Sequence, residues 1–225
     1  MNDLSRTDPA PAPLHLERLT IRLAGEPLVT LDATIAPGEI LTVMGPSGSG
    51  KSTLLATIAG FLAPAFTVSG RVRLGETVLD GLAPETRHVG LLFQDPLLFP
   101  HLSVGGNLAF GMVPGGGRRE RRRRIAAALD EVGLAGYAER DPATLSGGQK
   151  ARVALLRVLL AEPRAMLLDE PFSKLDAALR DDLRRLVFAR VRERRLPTLM
   201  VTHDIADAEA AGGRVIELGA GRQSD

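Results

Sequence analysis

The sequence predicts an α/β fold: a parallel sheet as core, antiparallel β pieces ahead of it, and a helical lobe inserted into it. Three observations predict this. The short unbroken apolar runs in "EILTVM", "AMLLDE" and "PTLMVTH" read as strands buried on both faces, as parallel strands are. Between the last two lies a helical stripe with apolar positions at Leu179, Leu183, Leu186, Val187 and Val191. From Ser103 to about Leu160 the signals are mainly helical, without an alternating strand run.

Taken in order, "LTIRL" from Leu19 to Leu23 alternates apolar and polar residues, and "AGEP" turns it into "LVTLDATI". These are antiparallel pieces. "EILTVM" is the first buried strand. A glycine-rich loop follows, then "KSTLLATIAG", a helix stopped at Gly60. "GRVRLGETVLD" reads as a second hairpin and "RHVGLLFQ" as a strand. The lobe spans about 95–160. After it come strand "AMLLDE", a helix from Asp176 to Arg195, strand "PTLMVTH", helix "DIADAEAA" and strand "RVIEL". Residues 1–13, "MNDLSRTDPAPAP", are polar and proline-rich and read as a disordered leader. That leaves a single domain over 14–220 and a tail over 221–225.

Composition narrows the function. A formal net charge of +1 gives no reason to expect a general polyanion binder. The chain has no cysteine, which excludes disulfides, thiol catalysis and cysteine metal sites. No apolar run approaches a membrane span and there is no signal-peptide core, so the chain is expected in the cytosol. Only Lys51, Lys150 and Lys174 are lysines among the 28 basic residues. A lysine kept against that arginine background is informative, and Lys51 falls in the first glycine-rich loop.

Gly45 to Ser52 fits G-x-x-x-x-G-K-[ST], between a buried strand and a helix as that motif requires. Glycines let the backbone wrap a phosphate, and the helix start supplies N–H groups and partial positive charge. The binding set is Gly45, Pro46, Ser47, Gly48, Ser49, Gly50, Lys51, Ser52 and Thr53. Lys51 is expected on the β- and γ-phosphates of ATP and the Ser52 hydroxyl on Mg²⁺. In "MLLDE", Asp169 is placed to hold Mg²⁺ through its water shell and Glu170 to orient or deprotonate the attacking water. His203 ends an apolar strand, where it faces the crevice at the carboxyl edge of the sheet.

These landmarks, with Gln94 in "LLFQD", then "LSGGQ", "SKLD" and "VTHD", resemble the ATP-binding subunit of ABC transporters from about Leu14 to Leu218. The likeness is greatest to the short bacterial importer ATPases of the thiamine, iron and polyamine group. It implies an α/β P-loop NTPase core carrying an inserted helical lobe. It implies that Gln94 senses Mg²⁺ and the membrane subunit, and that His203 contacts the γ-phosphate. Asp176 would end the loop that communicates between protomers. Ser146, Gly147, Gly148 and Gln149 match the signature that binds the ATP held by the other subunit, so a homodimer would bury two ATPs. Ser146 is also a good N-cap for the helix that "GQKARVALLRVLL" continues.

The same resemblance implies transmembrane permease subunits as partners, a solute-binding protein, and a peripheral position on the cytoplasmic face of the inner membrane. Alternatives are an ATPase of an export or lipid-handling system, or a soluble non-transport relative acting on nucleic acid or ribosomes. The last should show a long coiled-coil insertion or tandem cassettes, and this chain has neither, so no nucleic acid is expected. Two departures stand out. No aromatic lies near Leu23, where the family stacks adenine, and Lys174 occupies a position that is usually small. "RRERRRR", Arg118 to Arg124, reads as a solvated helix start. His15, His88 and His101 form no metal set.

Overall fold

The computed structural model describes residues 10–219. In chain order its elements begin with β1 (Leu14–Leu23), β2 (Glu26–Ile35), β3 (Ile40–Met44), α1 (Lys51–Ala59), β4 (Phe66–Leu74), β5 (Thr77–Val78) and β6 (Val89–Leu92). The lobe follows with α2 (Val104–Gly111), α3 (Arg118–Glu131) and α4 (Gly147–Leu160). The chain then alternates through β7 (Ala165–Asp169), α5 (Ala177–Glu193), β8 (Thr198–Thr202), α6 (Ile205–Ala211) and β9 (Val215–Glu217).

Alternation and continuity in the sequence separate two sheets. In β2, Val29, Leu31, Ala33 and Ile35 are buried while the residues between them face solvent, as in a half-covered antiparallel strand. β1 pairs antiparallel with both β2 and β4, giving the order β2-β1-β4-β5. The two expected hairpins are therefore one sheet. The second is lopsided: β4 starts at Phe66, ahead of the run that announced it, while β5 has only two residues. Strand β4 is extended by β1, whose free edge it pairs along its whole length. That partner is distant in sequence and leaves no local signal.

β3, β7 and β8 are buried almost throughout and form the middle of a parallel sheet of order β6-β7-β8-β3-β9. Because β7, β8 and β3 are neighbours and parallel, the residues leaving their carboxyl ends emerge side by side, about 5 Å per strand apart. Those residues are Asp169, His203 and the Gly45 loop. This ordering builds the site.

α4 joins the lobe to the core. Its Val153, Leu156 and Leu160 belong to the lobe's apolar cluster with α2 and α3. Its Ala154, Leu155 and Leu159 belong to the cluster between the parallel sheet and α5. Arg118 does begin a helix of the lobe, as the basic run predicts. Among the described residues no helix is long and apolar enough to cross a membrane. Of the expected leader only 10–13 is described, ending where Pro13 O accepts the Gly75 N–H at 2.8 Å. The rest of the leader and the tail at 221–225 lie outside the described residues.

Candidate functional site

The first glycine loop closes on itself. Gly50 sits at φ 89°, and a Cβ there would lie 2.5 Å from Val29 Cγ2, so both backbone and space demand glycine. It precedes α1 without any side-chain cap, which leaves the first N–H groups of the helix without side-chain partners. Lys51 is only 7 % exposed, and its ammonium donates to Gly45 O at 2.7 Å and Pro46 O at 2.8 Å. A buried cation held by two carbonyls has its charge spent on dipoles, not on an anion. A phosphate entering the loop offers it a stronger, charge-assisted bond. Ser49 is buried as well, while Ser47 and Gly48 are exposed at the rim.

Ser52 and Asp169 come together across the chain, Oγ to Oδ1 at 3.4 Å. Burial pushes the Asp169 carboxyl up from its ordinary range and the charge of Glu170 adds to this, while the Ser52 hydroxyl and Lys51 offset part. A carboxylate held at that disadvantage favours a cation. Hydroxyl and carboxylate are hard oxygen donors, which fit Mg²⁺ when nucleotide phosphates and waters complete its shell. Glu170 takes φ 43°, and its N–H donates to Val201 O at 3.0 Å. Its Oε2 lies 3.1 Å from His203 Nδ1, so the group expected to act on the attacking water touches the one expected on the γ-phosphate.

Gln94 lies in the loop after β6. Its amide Nε2 donates to Ser173 Oγ at 2.9 Å, and Ser173 in turn donates to Glu170 O. Lys174 donates to Asp95 at 2.5 Å beside it. The loop after β6 is thus tied to the loop after β7 by two side-chain bridges. Sequence reasoning missed both, because each joins residues 79 apart. It also missed the charges behind His203. Arg184 bonds the buried Asp207, Thr202 Oγ1 donates to Asp207 at 3.1 Å, and Arg180 pairs with Asp204 at 2.8 Å. The available signal was Arg180 and Arg184 on one face of α5, four residues apart.

The second loop opens outward. Ser146 caps α4 in a reciprocal box: its Oγ accepts Gln149 N–H at 3.3 Å and its N–H donates to Gln149 Oε1 at 3.0 Å. Ser146 and Gly147 are exposed. Gly148 is buried, and a Cβ there would meet Leu179 at 3.0 Å. Its smallness therefore serves packing within the chain. At Leu23, 42 % exposed, the pairing of β1 with β4 sets Phe66 directly opposite, a neighbour that the local sequence does not show.

Fold and site define a nucleotide-binding ATPase of the phosphate-loop class. The family model described as ABC transporter matches residues 28–173, and the chain belongs to that family. It is 48 % identical over 88 % of its length to an uncharacterised ABC transporter ATP-binding protein, YnjD, of Escherichia coli, covering 91 % of that protein. It is also 48 % identical to the thiamine import ATP-binding protein ThiQ of Cereibacter sphaeroides, over 93 % of this chain and 89 % of that one. Among solved structures, the ATP-binding cassette MJ0796, in a dimeric post-hydrolysis state bound to ADP and Pi, superposes with a TM-score of 0.75. That match is 31 % identical and covers 91 % of this chain and 94 % of the other.

Proposed function

We propose that the chain binds and hydrolyses ATP to energise solute import through separate membrane-spanning subunits. The observation that carries this is the strand order: Lys51 and Ser52, Asp169 and Glu170, and His203 leave neighbouring strands at one edge of the sheet. In this reading the loop from Gly45 to Thr53 holds the phosphates, and Lys51 exchanges its two carbonyls for β- and γ-oxygens. Ser52 and Asp169 hold Mg²⁺, which would neutralise charge developing on the phosphates. Glu170 accepts a proton from the attacking water, and His203, in contact with it, orients on the γ-phosphate. Gln94, bonded to Ser173, would be the residue that senses the metal from the loop after β6.

Ser146 and Gly147, exposed at the start of α4, suit an anion brought by a second copy, in line with the dimeric state of the related cassette. The permease contact is assigned to the exposed apolar residues around the loop after β6. Phe93, Leu97 and Phe110 are 38 %, 57 % and 69 % exposed, and Phe61 lies 6.5 Å from Phe93. A peripheral position on the cytoplasmic face of the membrane follows from that docking. Names of relatives support import over export, and a solute-binding protein belongs to such a system. Purification in mild detergent tests the reading. It should bring down a multi-span protein, and a chain that elutes alone from membranes of its own host contradicts it.

A further inference from the structure

The last residue of the arginine run, Arg124, leads to a cavity of about 490 Å³ on the far side of the molecule. Arg124, Arg164, Arg194 and Arg195 line it together with a single acid, Glu162. Leu159, Leu160, Pro163 and Leu196 give it an apolar wall, which Pro11 and the alanines on either side of it complete. Arg164 immediately precedes β7, whose other end carries Asp169. Five residues at about 3.3 Å each separate this cavity from the metal ligand by about 16 Å, so it is no part of the nucleotide site.

Two of the four guanidinium groups have structural partners. Arg124 pairs with Glu162 at 2.6 Å. Arg194 donates to Leu159 O at 2.9 Å, the work expected of a cation where α4 ends. Arg164 and Arg195 have neither a hydrogen bond nor an ion pair from their side chains among the described residues. Helix capping and surface pairing therefore leave them unused. Arg195 is exposed and Arg164 half-buried. A concave wall that is mostly apolar, with a few convergent polar groups, has the form and size of a small-molecule site.

We propose that this cavity binds a small organic anion, a phosphate or carboxylate on an apolar body, with Arg164 and Arg195 as its forked donors. Guanidinium matches both anions through paired N–H groups, and the leucines and prolines take the body.

The test uses the full chain with its nucleotide site filled by ADP and Mg²⁺. Phenyl phosphate and benzoate are the probes, and inorganic phosphate is the control for the apolar wall. Calorimetry should show one saturable site for at least one probe, with inorganic phosphate at least tenfold weaker. Whichever of the two binds identifies the anion class. The double variant Arg164→Gln, Arg195→Gln should weaken that probe at least tenfold without changing ADP affinity. No saturable binding of either probe, or equal binding by the double variant, overturns the proposal. Should the variant fold poorly, arginine-directed labelling of the unaltered chain decides: the bound probe should protect Arg164 and Arg195. Undiminished labelling of both overturns it.

Discussion

The two glycine-rich loops look alike in sequence and differ in what their glycines do. In the first, Gly50 is required by a positive φ and by Val29 behind it, and the loop is drawn tight by a buried lysine bonded to its own carbonyls. In the second, the tightness lies in the capping box of Ser146 and Gln149, and the glycines divide. Gly147 faces solvent while Gly148 packs on Leu179 of α5. The first loop is complete within one chain apart from its ligand. The second leaves its helix start exposed.

The comparison is broken most readily at the chemistry. Lys51→Ala should weaken ATP binding by the isolated subunit about 10- to 100-fold, the worth of a charge-assisted bond. Ser146→Ala should leave that affinity unchanged. Glu170→Gln should retain binding and lose turnover by about 100-fold or more. Nucleotide titration and phosphate release measure both, and normal turnover in Glu170→Gln would remove Glu170 from its role.

The glycines sharpen it next. Gly148→Ala should cost about 1–3 kcal/mol, because the methyl group must push Leu179 aside. Gly147→Ala should stay within about 0.5 kcal/mol. Denaturant midpoints read the difference, and equal losses would mean that the two positions are not divided as described.

A smaller effect lies in the carboxylate facing the first loop. With its folded pKa raised, Asp169 binds its proton more tightly in the folded chain than in the unfolded one. Stability without nucleotide should therefore fall as pH rises through the carboxylate range, between the unfolded and folded values. Asp169→Asn should raise the melting temperature of the nucleotide-free chain at neutral pH. The gain should vanish at acid pH, where Asp169 is protonated in both states. Hydrolysis should be lost at any pH. A gain that persists in acid would point to another cause.

The smallest effect is expected at the base. With aliphatic contact at Leu23 and Phe66 across from it, discrimination between ATP and GTP should be weak. Leu23→Tyr should tighten ATP a few-fold, since aromatic stacking adds about 0.5–1.5 kcal/mol. Strong ATP preference in the unaltered chain, with no gain in the variant, would count against this.

Legibility in the sequence followed the range of the interaction. The phosphate loop, the cap at Ser146 and the buried strands are written in runs of a few residues, and the structure has them at those places. The stop at Gly60 is equally local: that residue takes φ 93° and its N–H closes on Ala56 O. What escaped depends on distant pairing. Phe66 reaches Leu23 only through β1 and β4, and Gln94 meets Ser173 only because β6 and β7 are neighbours. The packing of Gly148 on Leu179 escaped for the same reason, since Leu179 lies beyond the next strand. A motif gives the residues of a site, but not which side of each one is occupied.

The central claim is that the second loop acts across an interface while the first acts within the chain. Glu170→Gln with ATP should form a stable dimer in sizing chromatography. Adding Gly147→Asp should return it to monomer, because a carboxylate about 4 Å from a phosphate charge costs on the order of 4 kcal/mol at an effective dielectric of 20. Gly147 is the position for this test, since it is exposed and a Cβ there would make only ordinary contact, with Leu175 at 4.0 Å. Nucleotide titration of that monomer should still saturate. A double variant that dimerises as fully as Glu170→Gln alone would contradict the account.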